Sequence, residues 1–269
     1  VSALYSLNVL IECSIQTGQK SYDQLVRHVL GNTMAVVFKV IVVLYCFGVC
    51  TGYVIIIGDL LPEILQTWAG VDDYNSPPFY LSKIFLQMII IIFIISPLCS
   101  FSSIDSLKYA SAFAVFAVMY FTLVVLIRSF QYIGSDEFEA SRAQYFNWGA
   151  AIFSGIPIIA FALGGHVQSI SVYQELQPGK RNRTDWLKVS GGMIASLSLV
   201  YLLVSVFSYY RYLPDDGNIL EAMLVYDPSD VLVQVSSLMM TVVVVLSYPL
   251  MAWPMRQSFE QLVFDPVQP

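Results

Sequence analysis

Apolar residues in this chain come in long unbroken runs, and polar residues gather in the gaps between them. Seven runs stand out, at 3–15, 34–61, 84–97, 110–127, 150–171, 189–210 and 231–253. At about 1.5 Å per residue the second run reaches roughly 42 Å as a helix, enough to cross a bilayer with tilt. The first is too short to cross alone and reads as the second half of a helix. The Ile- and Val-rich runs are too long for strands, which rarely exceed about ten residues. The pattern predicts an all-α protein whose helices lie in a membrane.

Composition sharpens this reading. Of 269 residues 57% are apolar and only 12% charged, against about 25% charged in ordinary soluble domains. Mean hydropathy is +0.68. A soluble fold of this size would be left with a sticky surface short of charge. A soluble enzyme, a nucleic-acid binder and a disordered tail are therefore excluded, and the lipid bilayer is the expected partner. Val1 lies in an apolar stretch and Pro269 follows soon after another. The chain is expected to be one transmembrane domain, 1–269, incomplete at both ends.

Charge is unevenly divided between the gaps. Alternate gaps carry Lys20, Arg27, Lys39, Lys108, Lys180, Arg181, Arg183, Lys188 and Arg256. The others carry only Lys83, Arg128, Arg142 and Arg211, and with them Asp59, Glu63, Asp72, Asp73, Asp136, Glu137, Glu139, Asp215, Asp216, Glu221, Asp227 and Asp230. A nine-to-four split of basic residues puts the first set in the cytoplasm and sends the first run from outside to inside. Trp68, Tyr74, Tyr80, Tyr145, Trp148, Trp186, Tyr209, Tyr210, Tyr212 and Trp253 lie at run ends, where interfacial anchors belong.

Catalytic equipment is not visible. No HExxH, CxxC, P-loop or serine-elbow pattern occurs. Cys13, Cys46, Cys50 and Cys99 lie within runs or at an inner end, so no outward disulfide is expected. Cys46 and Cys50 share a helical face, which suits a soft metal or, more simply, two small buried hydrophobes. His28 falls in a gap read as a loop, and His166 in the fifth run. Asn182-Arg183-Thr184 matches a glycosylation sequon but lies in the most basic gap, placed inside.

Inside a membrane, helix breakers and polar side chains are costly, so each is a functional lead. The fifth run holds Pro157, which lacks a backbone donor, and then Gly164-Gly165, where helix becomes optional. Two readings stand: a backbone unwound between Pro157 and Gly165 that offers bare N–H and C=O groups to a solute, or a kinked continuous helix with glycines for close packing. His166 and Gln168 follow at once, and a buried imidazole there either relays protons or only bonds a neighbouring helix. In the seventh run Ser247 precedes Pro249, and its hydroxyl with nearby freed carbonyls either makes hard oxygen ligands suited to an alkali cation or simply back-bonds to its own helix. Gly48, Thr51 and Gly52 form a small-residue face on the second run. Glu12 and Asp59 lie near run ends.

Several blocks resemble the amino acid/auxin permease family, within the LeuT-type superfamily. Gly58-Asp59-Leu60-Leu61-Pro62 is similar to the GDLLP ending of that family's third helix, and Asp105 to Ser111 to its LDSLKYTS entry to the fifth. Pro157 through His166 resembles the sixth-helix pattern, Val172 to Leu176 its IYxEL ending, and Ser247-Tyr248-Pro249 with Pro254-Met255-Arg256 the eighth-helix signature. The vacuolar and sodium-coupled neutral amino acid branches look most similar. Gly165 stands where the family usually has Cys, Ser171 where it has Pro, and Ser208 where Gly is common.

The resemblance implies a fragment of a LeuT-type inverted-repeat transporter bundle, about helices two to eight. It implies a secondary active carrier of neutral amino acids coupled to sodium or protons, by symport or antiport, in a vacuolar, lysosomal or plasma membrane, with the fragment inactive alone. By resemblance Phe161, Ala162 and Gly164 would line the substrate and Ser247 would ligate sodium; the residues' own pattern adds Gly165 and Thr51 as substrate contacts and His166 as a proton relay or substrate contact. No cofactor beyond the coupling ion is implied, and oligomeric state is left open. A non-transporting amino acid sensor on the same fold is the alternative. A seven-helix receptor is a more distant one, lacking an acidic-Arg-Tyr triplet and a cysteine pair for the outer loops.

Overall fold

The computed structural model describes residues 2–71, 77–100, 107–135, 138, 149, 151–176, 179, 181–212, 227 and 229–264. Asp105, Lys180, Arg142, Asp72, Asp73, Asp136, Glu137, Glu139, Asp215, Asp216, Glu221, Tyr74, Tyr145 and Trp148 lie outside the described residues. Those described are helical and contain no strand. In order they form α1 (Ser2–Thr17), α2 (Tyr22–Leu30), α3 (Asn32–Trp68), a 3-10 turn (Phe79–Leu81), α4 (Lys83–Ile90), a π-helical turn (Ile91–Ile95), α5 (Ser96–Ser100), α6 (Leu107–Ile133), α7 (Ala151–Ala162), α8 (His166–Glu175), α9 (Arg183–Tyr212) and α10 (Val231–Phe264). Hydrocarbon offers the backbone no partner, so long apolar runs must close their own hydrogen bonds as helices.

Among the described residues six segments are long and apolar enough to span a bilayer: Asn32–Trp68, Lys83–Ser100, Ala110–Ile133, Gly155–Glu175, Arg183–Arg211 and Val231–Phe264. They match six of the seven apolar runs, and the protein is a multi-pass membrane protein. The first run is α1, only 16 residues long. The Lys83–Ser100 span carries a π-turn just before Pro97. Proline cannot donate to the carbonyl four residues back and crowds it. Widening the upstream turn, with the Ser96 amide donating to Ile91, lets the helix pass the proline.

One expectation is corrected: His28 is not in a loop but in α2, a nine-residue helix. Ser21 caps it, accepting from the Gln24 amide at 3.3 Å, and Gly31 closes it at φ 85°, where a side chain would be strained. Leu25 and Val26 turn inward.

The chain divides into two compact units. The first comprises 1–42, 144–202 and 258–269; the second 43–143 and 203–257. In the first unit Ile11, Leu25, Ile170, Tyr173 and Trp186 form a buried cluster that joins α1, α2, α8 and the start of α9. Tyr173 and Trp186 meet edge to face at 5.7 Å. Glu12 and Arg183 pair at 3.5 Å beside it, and Lys39 and Asp23 at 3.6 Å. The sequon asparagine is a helix cap, since Asn182 Oδ1 accepts from the Asp185 amide at 2.8 Å at the start of α9.

In the second unit Leu60, Val124, Val125 and Val233 join α3, α6 and α10, while Ile57, Ile90, Ile95, Val244 and Val245 join α3, the α4–π segment and α10. Polar contacts gather at one end of this unit. Asp59 bonds Lys83, Gln66 donates to the Leu81 carbonyl at 2.9 Å, Trp68 donates to Gln234 at 2.8 Å, and Arg128 bonds Asp230 at 2.7 Å. Cys46 and Cys50 are buried, and among the described residues no group of three or more His, Cys, Asp or Glu side chains is arranged to hold a metal.

Candidate functional site: an interrupted helix

Pro157 does not interrupt the fifth span. The helix runs through it to Ala162 and breaks over Leu163, Gly164 and Gly165 before resuming at His166. The interruption lies within the stretch 157–165 that sequence marks, but it is shorter, and glycine rather than proline sets its place. Proline removes one donor and kinks a helix that neighbouring turns still hold. Paired glycines give up little by leaving the helix.

The backbone narrows stepwise into the break. Leu163 still donates to Ile159 at 3.2 Å, an α-type bond. Gly164 donates to Phe161 at 2.9 Å, a 3-10 bond, and Gly165 to Leu163 at 3.1 Å, a tighter turn again. The Ala162 carbonyl accepts from the Tyr201 hydroxyl of α9 at 3.2 Å. Gly165 lies at φ −78°, ψ 11°. A Cβ built there meets nothing within 4 Å. Neither strain nor crowding demands glycine at 165.

The two halves differ in how they are held. Ile170 and Tyr173 of α8 sit in the buried cluster of the first unit. His166 Nε2 lies 2.7 Å from Ser6 Oγ on α1, and Ser169 back-bonds to the His166 carbonyl at 2.7 Å. In α7, by contrast, Phe153, Ile156, Ile158, Ile159 and Phe161 are all exposed. Among the described residues, the break thus separates a half-helix anchored in a buried cluster from one whose large apolar side chains are mostly exposed.

Its electrostatics follow from backbone polarity. The last turn of α7 ends in carbonyls and carries partial negative charge; the first turn of α8 begins with amides and carries partial positive charge. An interrupted helix therefore offers opposite partial charges within a few residues. A zwitterion, with an ammonium and a carboxylate on one carbon, has the complementary pair.

Of the residues singled out from sequence, Phe161, Ala162, Gly164, Gly165 and His166 lie together at the break. Thr51 and Ser247 belong to the second unit. There the Thr51 hydroxyl donates to Phe47 at 2.9 Å along its own helix, and Ser247 sits half-buried on α10 two residues before Pro249. Sequence reasoning missed Tyr201. Nothing in the α9 pattern marks it, because its partner is a backbone atom made available by a break in another helix.

The family model described as transmembrane amino acid transporter protein matches residues 1–268. The chain is 28% identical to sodium-coupled neutral amino acid transporter 7 of Xenopus laevis, over 95% of this chain and 56% of that protein. It is 27% identical to vacuolar amino acid transporter 5 of Schizosaccharomyces pombe, over 91% and 56% of the two chains. It is also 27% identical to vacuolar amino acid transporter 5 of Saccharomyces cerevisiae, over 87% and 51%. The chain spans about half the length of these relatives. No solved structure matches it.

Proposed function

The chain belongs to the transmembrane amino acid transporter family, and we propose that the protein it comes from carries neutral amino acids by secondary active transport, coupled to sodium or protons. The single observation that supports this most is the helix interrupted at 163–165 inside an apolar span. In hydrocarbon an interruption is tolerated only where protein, water or a solute satisfies the released backbone. Discontinuous helices of this kind form substrate sites in many transporters.

In this reading the substrate carboxylate lies toward the start of α8 and the ammonium toward the end of α7. Phe161, Ala162, Gly164 and Gly165 line it. His166 takes up the coupled proton or touches substrate. Two further assignments lie in the second unit: Thr51, on a small-residue face open to a ligand or to another helix, and Ser247, a hard oxygen ligand for sodium that the sequence resemblance supports. The LeuT-type repeat, with these spans as its helices two to eight, is part of the same proposal. The relatives' names divide between sodium-coupled and vacuolar carriers, so the coupling ion and the membrane are chosen together by the gradient that drives uptake.

The test is uptake of a panel of neutral amino acids by the full-length protein in proteoliposomes, under an imposed sodium gradient and, separately, a proton gradient. Accumulation against a concentration difference with one gradient supports the proposal. Binding without accumulation under either gradient refutes it in favour of a sensor.

A further inference from the structure

Tyr201 lies outside the sequence blocks quoted above, yet its hydroxyl makes a contact that the break itself creates. In an unbroken helix the Ala162 carbonyl would accept from the amide four residues on, that of His166. With 163–165 out of helical register the carbonyl turns to the Tyr201 hydroxyl, at 3.2 Å. That is long for an O–H···O bond, whose usual length is about 2.7–2.8 Å. The tyrosine is 40% exposed, so its ring is not clamped in a core. Both residues belong to the first unit.

We propose that Tyr201 is a positioning residue that occupies the Ala162 carbonyl in the empty carrier and is displaced from it by the ammonium group of the substrate. The inference rests on the carrier reading above. A carbonyl left bare at membrane depth is costly, and a neutral phenol is a sufficient but modest partner. An ammonium is a charged donor, and charge-assisted hydrogen bonds are shorter and stronger. The exchange therefore runs toward substrate when substrate is present, and back when it leaves. The phenol keeps the empty break from collapsing or recruiting a wrong donor, and it sets a threshold that only a cationic nitrogen passes. No covalent bond forms or breaks; one hydrogen bond replaces another.

The test is Tyr201→Phe in the full-length protein, which deletes the hydroxyl and keeps the ring. Equilibrium binding is measured for each neutral amino acid of the uptake panel and, by competition, for the acid lacking its amino group (propionate for alanine, 4-methylpentanoate for leucine). Without its competitor the ammonium should bind about two- to tenfold tighter, the worth of one neutral hydrogen bond. The amino-free acids, which leave the carbonyl alone, should bind as they do to wild type. Equal shifts for both members of a pair would overturn the inference, since a merely structural tyrosine moves both. Weaker binding of the amino acids alone would also overturn it, making Tyr201 a ligand rather than a competitor. If wild type neither binds nor carries any amino acid, the carrier reading fails first; if wild type does and Tyr201→Phe changes nothing, only the inference fails.

Discussion

Nε2 of His166 sits 2.7 Å from Oγ of Ser6 and ties the first residue after the break to α1. Ser6 Oγ also lies 3.0 Å from the Ala3 carbonyl, to which it donates its only proton. With that proton engaged, the contact is made by the tautomer of His166 that carries its hydrogen on Nε2 and donates to Ser6 Oγ. Ser6→Ala and His166→Ala should each lower stability by about 1 kcal/mol, and the double variant by little more than either alone. Denaturation of the purified protein in detergent checks this. Full additivity would show that the two side chains do not act as a pair.

Gly58 and Gln87 form a second local lock. A Cβ at position 58 would lie 2.0 Å from Gln87 Nε2 and 2.9 Å from its Cγ. Gln87 is not free to swing clear at no cost, because it donates to the Val54 carbonyl at 2.8 Å. Gly58→Ala should cost about 1 kcal/mol, the value of the bond it evicts. In a Gln87→Ala background the same change should be nearly neutral. Thermal melting of the four proteins of this cycle gives the answer.

Asp230 both caps α10 and pairs with a cation at its start. One carboxylate oxygen accepts from the Leu232 amide at 3.0 Å and from Arg128 at 2.7 Å. Removing Arg128 leaves the cap; removing Asp230 loses cap and pair together. Asp230→Ala should therefore destabilise more than Arg128→Ala, by about 1 kcal/mol. The swap Arg128→Asp with Asp230→Arg should not recover stability, because it places a cation at a helix start. Just before it, Ser229 holds the Asp227 carboxyl below the usual carboxylate range by donating from both its hydroxyl and its amide. A carboxyl lowered by folding adds stability above the usual range and loses it as pH falls through the lowered value. Ser229→Ala should shrink that acid-side loss in pH-dependent unfolding.

Gly165 has open space where a side chain would go and a negative φ. Gly165→Ala and Gly165→Cys should both fold within about 0.5 kcal/mol of wild type. Retained uptake in both would show that Gly164 alone suffices to set the place of the break. Loss of fold in Gly165→Ala would contradict this account of the local backbone.

The spans were legible because lipid leaves an apolar run almost no choice but helix, so run length alone locates Lys83–Ser100 or Val231–Phe264. The interruption near Gly164 was legible for the same reason: glycine pairs are the weak points of such helices. Its limits were not, since whether the helix survives Pro157 depends on neighbouring turns that sequence does not weigh. Helix α2 was missed because nine mixed residues give too short a pattern beside long apolar runs. The π-turn before Pro97 and the Tyr201 contact depend on how a local backbone defect is repaired, and each repair is made by a residue that no linear motif singles out.

The interrupted helix is tested most directly by amide hydrogen exchange across 155–175 in the full-length protein, with and without a saturating transported amino acid. Exchange should be slow in α8, faster at 163–166, and slowed by the amino acid at that window above all. Uniform protection through 163–166 without substrate, or a window unchanged by an amino acid that the protein demonstrably carries, would contradict it.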